Sequence, residues 1–376
     1  MERRRNKDMS TIKTVCKEIR PEELGFTSMH EHLLCDFTEM MKLSIEPEIR
    51  ARIDYIPESM LKLNLGNLYA LRTGMGTFSK DCASLYDMDY MVGELKAFAA
   101  MGGKAIVDAS PIAAKAQKNV RGLQELSEKS GVHVVTCTGL YTAATQPEEY
   151  KAMPEEELVA FFKKQMEEGL DGTGVKPGFM KCAINTPGDC MGVDASEIKA
   201  VRACARVAAE TGCSIHIHNG YPMGMEECVP VAQMVLDLGV KPDKLLMLHM
   251  DSLILRPHTD MEYISDFAAV KTVNIDLMLR LLDMGVNVGF DSWDMLVGGF
   301  PTNTDRLKAL AELLRRGYGN KIVMGHDAYD KSRSVAYGYT GFTGFIRNAL
   351  PVLRQLGYEK EIGMLTTENP ARILAF

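Results

Sequence analysis

Eight short apolar runs, each closing on or near a polar residue and each separated from the next by a helical pattern, constrain this chain more than any other feature. The first is Phe26-Thr27-Ser28-Met29-His30-Glu31-His32. The others are Lys104–Asp108, Val132–Tyr141, Gly178–Ile184, Cys213–His218, Leu245–His249, Val286–Asp291 and Ile322–Asp327. Near-continuous apolar strands alternating with helices indicate a parallel sheet covered on its outside. Eight such units in 376 residues fit a closed (β/α)8 TIM barrel of the α/β class better than an open doubly wound sheet. No Gly-x-Gly-x-x-Gly follows the first run, which weighs against a dinucleotide fold. The expectation is a single barrel domain over residues 1–376. It carries a βα-loop insertion near 37–85, broken by Pro47, Pro57, Gly66, Gly74 and Gly76, and a longer loop near 250–280.

The polar residues fall where such a barrel does its chemistry. His30, His32, Asp108, Lys181, His218, His249, Asp291 and Asp327 lie at or near the C-terminal ends of different strands, the face on which barrel enzymes build their active sites. His30 and His32, one residue apart, project from the same side of a strand. An isolated His-x-His reads as readily as two surface histidines; the convergence of the other polar residues favours a metal clip. Four histidines and a carboxylate suit zinc or another borderline divalent ion, and with an anionic bridge such sites hold two ions about 3.5–4 Å apart. Lys181, inside Gly-Phe-Met-Lys-Cys-Ala-Ile, would point into the barrel with little water, which disfavours its charged form. A neutral amine captures carbon dioxide as a carbamate, a carboxylate-like bridge. The competing reading is a lysine that ends its strand and snorkels to solvent.

Phe-Thr-Ser-Met-His-Glu-His, then a buried strand lysine, two single histidines and Gly-His-Asp, together with Thr367-Glu368-Asn369-Pro370-Ala371-Arg372-Ile373-Leu374, resembles the phosphotriesterase family of the amidohydrolase superfamily, phosphotriesterase-like lactonases included. The likeness covers nearly the whole chain. It implies a binuclear centre in which His30, His32 and Asp327 hold the more buried ion, carbamylated Lys181 bridges, and His218 and His249 hold the more exposed one. Zinc is the first choice of metal, with manganese or cobalt as alternatives, and carbon dioxide supplies the carbamate. His216 competes with His218; counting six residues from Gly212, in a Thr-Gly turn like the family's, lands on His218 and leaves His216 either behind the ligands or in the core.

By the same resemblance Asp327 accepts and shuttles the proton, and Tyr141 resembles an aromatic at the pocket mouth that contacts the reacting oxygen. Asp291 orients His249 or the substrate, or satisfies loop amides, and Arg256, Lys331 and Arg333 sit in loops where they would pair with an anionic group. The expected reaction is hydrolysis of a lactone, anionic or phosphorylated ones included, by a hydroxide shared between the ions. An amidase or a phosphotriester hydrolase on the same centre is the alternative. A binding barrel without catalysis is least favoured, because all six ligands are present. Two departures fall in loops that shape substrate choice. Asp108 is followed by Ala109-Ser110-Pro111-Ile112 where the family commonly has Gly-Arg-Asp, and the long stretch from His249 to Asp291 contains Leu255-Arg256-Pro257-His258.

Composition excludes several partners. A net charge of −7, a pI of about 5.7 and no basic stripe argue against nucleic acid. The basic start Met1–Lys7 has no following apolar run, so neither a signal peptide nor a membrane anchor is expected. Nine cysteines at irregular spacing, none in Cys-x-x-Cys, form no disulfide or zinc framework and point to a reducing cytoplasm. Twenty-five methionines read as adaptable core filler. The partners expected are a small-molecule substrate and a second copy in a homodimer.

Overall fold

The computed structural model describes residues 10–38, 57–73, 79–112, 119–220, 224–256, 260–266, 272–296 and 300–376. Eight parallel strands follow one another around the barrel: β1 (Thr27–Glu31), β2 (Ala105–Asp108), β3 (His133–Thr138), β4 (Phe179–Ile184), β5 (Ser214–Asn219), β6 (Leu245–Met247), β7 (Asn287–Phe290) and β8 (Ile322–Met324). The first and last edges meet through the backbone, where the N–H groups of His326 and Asp327 donate to the His30 carbonyl at 3.3 and 3.1 Å. Several strands stop earlier than the apolar runs predict. The reason is local: the polar residues closing those runs leave the ladder, and His249 and Asp327 do so with φ of +58° and +50°.

The barrel is filled. Ala105, Val107, Val135, Cys137, Phe179, Leu246, Leu248 and Val323 form one cluster with Ile12 and Ile19 of a small antiparallel ladder and with Ile373 and Leu374 of the last helix, which together close its lower end. The outer layer is built from amphipathic helices. Capping signals are clear at both ends of the helix Ala195–Thr211, where Asp194 accepts from the Ser196 N–H at 2.8 Å, and Gly212 ends it at φ +78°. Its buried stripe is Ile198, Val201, Ala205 and Ala208, with Glu197 as the one charged residue buried among them.

After β1 the described residues form short helices at Glu58–Leu61, Leu68–Arg72 and Lys80–Ala83 before the long helix Met88–Ala100. Pro47, Gly74 and Gly76 lie outside the described residues. The helix Leu68–Arg72 docks on the loop after β8: Arg72 donates to the carbonyls of Ser332 and Tyr337 at 2.9 and 3.0 Å, and its guanidinium lies 4.4 Å from the Tyr339 ring centroid. The second long loop holds the helices Asp260–Ser265 and Asp276–Asp283, while Pro257 and His258 lie outside the described residues. No helix among the described residues is long and apolar enough to cross a membrane.

Candidate metal centre

The pairing of β1 with β2 shifts register between Ser28 and Glu31, an irregularity of the kind that re-aims side chains beside functional sites. It leaves His30 at the end of β1 and His32 just beyond it, both facing Asp327. His30 Nε2 lies 3.4 Å and His32 Nε2 3.0 Å from Asp327 Oδ1, and the three ligand atoms fall within 4.8 Å of one another. Behind them, His30 Nδ1 lies 2.7 Å from Asp291 Oδ2, and His32 Nδ1 lies 2.9 Å from Ser110 Oγ. An ionised carboxylate only accepts, so His30 carries its proton on Nδ1 and turns the Nε2 lone pair to Asp327.

The other two histidines complete the cluster. His249 donates its backbone N–H to Asp291 Oδ1 at 2.7 Å and sets its ring Nδ1 3.4 Å from the same oxygen. Its Nε2 is buried with no hydrogen-bond partner among the described residues. His218 Nε2 lies 3.3 Å from the Asn185 side-chain oxygen, which fixes the proton there and leaves Nδ1 facing the Tyr141 hydroxyl at 3.1 Å. The His218 and His249 rings meet edge to face with centroids 4.6 Å apart. Lys181 is 1% exposed, sits in register with His216, and holds its Nζ 5.9 Å from the Tyr141 ring centroid.

His30, His249 and Asp291 also bring three ligand atoms within 4.8 Å. Asp291 is fully buried and already occupied by the His30 imidazole and the His249 amide, so this trio is the layer that orients ligands and not a second cation cradle.

The electrostatics favour positive charge at the centre. Burial alone would raise the Asp327 carboxyl, but His249, His30 and His32 outweigh it and hold it well below the usual range. Asp291 behaves likewise, with His249 and His30 overcoming its burial. Burial and the Lys181 charge push His30 down to about 3, so it is a neutral imidazole at neutral pH. His249 goes the other way: burial lowers it, yet the carboxylates of Asp291 and Asp327 outweigh that and raise it. Burial brings Lys181 down to about 8 against the pull of Asp327 and Asp291. An ionised carboxylate, the neutral His30 imidazole, the unpartnered Nε2 of His249 and a lysine whose charged form is disfavoured by burial make a donor set suited to a divalent cation.

The remaining sequence candidates sort themselves by surroundings. His216 is buried against Phe179, ring centroids 4.2 Å apart, with Nε2 at 3.0 Å from Ser214 Oγ, and belongs to the core. Asp108 accepts from the N–H groups of Leu33 and Ser110 and from the Thr136 hydroxyl, so it shapes the loops after β1 and β2. Arg256 is half exposed and pairs with Glu262 at 3.1 Å. Lys331 lies 3.5 Å from Asp81, and Arg333 is buried, donating to the carbonyls of His326 and Asp327.

Several buried residues supporting the site carry no role in the sequence reading. Glu197 accepts from the Ala143, Asn185 and Thr186 N–H groups and from the Thr186 hydroxyl, which holds the loops bearing Tyr141 and Asn185. Asp251 pairs with the buried Arg306 at 2.9 Å and accepts from the Ser292 N–H at 3.0 Å. Glu31 binds the turn after β8. Glu197 and Glu31 did leave a trace: each is a carboxylate inside an apolar face, where charge is rare unless satisfied.

A parallel barrel with imidazoles, a carboxylate and a buried lysine gathered at the C-terminal ends of its strands defines the class of metal-dependent barrel hydrolases. The chain belongs to the phosphotriesterase family, whose sequence profile matches residues 10–374. It is 28% identical over 369 residues to an N-acetyltaurine hydrolase of Tetraodon nigroviridis, covering 97% of this chain and 98% of that one. Among solved structures it is similar to a resiniferatoxin-binding protein from Rhodobacter sphaeroides, with TM-score 0.80, 24% identity and coverage of 97% and 95%. A lactonase from Listeria monocytogenes shares the fold at TM-score 0.72 and 20% identity, covering 98% of this chain and 99% of that one. The family is one of binuclear metal enzymes. Metal analysis after reconstitution with zinc or manganese and bicarbonate is expected to give about two divalent ions per chain; a value of one or none would contradict the six-residue centre.

Proposed function

We propose that this chain hydrolyses the amide bond of a small N-acylated amine, of the N-acetyltaurine type, with a pair of divalent ions, zinc first, that the four histidines, Asp327 and Lys181 as its carbamate would hold. The bond type rests on one observation, the end-to-end likeness to N-acetyltaurine hydrolases, which leaves only a few residues of either chain uncovered. His30, His32 and Asp327 would hold one ion, His218 and His249 the other. Bound there, the ions would supply Lewis-acid polarisation of the acyl group and of water.

The chain's own residues supply the rest. The Lys181 amine, neutral in about a tenth of the molecules at pH 7, would add through nitrogen to carbon dioxide and release one proton, leaving an anionic N-carboxylate on a strand that carries no other charged side chain. Asp327 stays ionised and takes the proton of the attacking water, then delivers it to the departing amine. An amine leaves less readily than an alkoxide unless protonated, so an amide makes the heavier demand on that shuttle. Burial holds the Tyr141 phenol well above its usual pKa, and it serves as a hydrogen-bond donor beside His218. The nine cysteines are all free, and only Cys16 is exposed, which supports a reducing, cytoplasmic setting.

The lactone expected from the sequence uses the same residues and is the competing outcome of the test. Metal-reconstituted protein is assayed on N-acetyltaurine, N-acetyl amino acids, γ-lactones and aryl phosphotriesters. The amides are expected to exceed the lactones in kcat/KM by at least about tenfold. Lactones turned over faster by that margin would assign the ester reaction instead.

A further inference from the structure

We propose that Glu31 and His326, with Arg333, are positioning residues that set Asp327 for proton transfer; the inference rests on the reading of Asp327 as the proton shuttle. Asp327 sits at φ +50°, a conformation that L side chains rarely adopt, immediately after β8 and with no helix to cap. The peptide groups on both sides of it are pinned. Glu31 Oε1 accepts from the His326 N–H at 3.0 Å and from the ring Nδ1–H at 2.6 Å, and Oε2 accepts from the Ala328 N–H at 3.2 Å. The fourth contact of that carboxylate is the Ser28 hydroxyl at 2.5 Å. His326 Nε2 accepts from the Phe345 N–H at 3.1 Å, which fixes the ring with its proton toward Glu31. From the other side, Arg333 Nη2 donates to the His326 and Asp327 carbonyls, both at 2.7 Å.

The placement of Glu31 gives the arrangement its purpose. One strand end sends His30 and His32 to meet the Asp327 carboxylate and sends the residue between them to hold the backbone carrying it. Glu31 and His326 are both fully buried. Buried charge of this kind is weak support for stability, since apolar residues of similar volume often serve as well or better. What it does supply is a fixed distance between strands β1 and β8 at the point where ligand meets ligand.

The test is a double-mutant cycle between Glu31→Gln and Asp327→Asn, read in kcat, KM and the proton NMR spectrum of the metal-free protein. Glu31→Gln keeps the volume but turns an amide N–H toward donors. It is expected to lower kcat by at least about tenfold with KM within about threefold, and to lower kcat by less than about twofold when Asp327 is already asparagine. The far-downfield N–H signal of the His326–Glu31 bond should vanish in Glu31→Gln and persist in Asp327→Asn. An equal loss in both backgrounds, or wild-type kcat in Glu31→Gln, would overturn the inference. Wild-type kcat in Asp327→Asn would instead remove the shuttle itself, and with it the object being positioned. If Glu31→Gln does not fold, Arg333→Lys, which keeps the cation but loses the two-carbonyl bridge, enters the same cycle. A loss of about threefold or more, confined to the Asp327 background, is expected, and a loss in both sinks the idea.

Discussion

Lys181→Ala is expected to abolish turnover, with kcat falling by roughly a thousandfold or more and bound metal falling with it. The residue is 1% exposed in the middle of β4, and no other side chain on that strand carries charge toward the six-residue cluster. Removing it would leave four rings and one carboxylate to hold two dications, too little negative charge for both. Acetate or propionate should restore part of the activity by taking the place of the N-carboxylate, while Lys181→Arg, which cannot react with carbon dioxide, should not be rescued. The reaction has a pH signature. Burial lowers the Lys181 pKa to about 8, so the reactive neutral amine grows as pH rises toward that value. At fixed dissolved carbon dioxide, reactivation of metal-stripped protein should therefore speed up about tenfold per pH unit below 8 and level off above it. Near-normal turnover by Lys181→Ala would end the carbamate proposal.

Asp327→Asn is expected to lower kcat by about a hundredfold or more, the range for losing acid–base assistance, with a smaller change in KM. Asparagine is the informative replacement here because it tolerates the left-handed backbone at φ +50° better than other residues, so the main chain is preserved. Metal content has to be followed in the same samples, since Asp327 Oδ1 also sits against His30 and His32. Loss of activity with metal retained assigns the proton role; loss of both assigns the ligand role.

The barrel and the six converging residues were legible because both are written in single positions. Apolar runs alternate with helices, and ligands stand at the ends of those runs, so counting strands already locates the site. Strand ends were less legible, because His249 and Asp327 abandon the ladder for left-handed turns that no hydrophobic pattern announces. Asn185 and Ser110 were invisible for a different reason: each acts on one ring nitrogen of a histidine on another strand. Arg256 was illegible in a third way: its pairing with Glu262, six residues further along the same loop, is a contact that no hydrophobic pattern announces.

The buried carboxylates have a consequence for how this barrel can change its substrate over evolution. Among the described residues, loops after seven of the eight strands have main-chain N–H groups held by Asp108, Glu197, Asp291, Asp251 or Glu31: Leu33, Ser110, Ala143, Asn185, His249, Ser292, and the pair His326 and Ala328. Every amino acid but proline presents that same N–H. Loop side chains can therefore be exchanged, and the pocket relined, without loosening the anchors, whereas a change at one anchoring carboxylate displaces whole loops at once. Variation in specificity and conservation of the frame are thereby assigned to different atoms of the same residues.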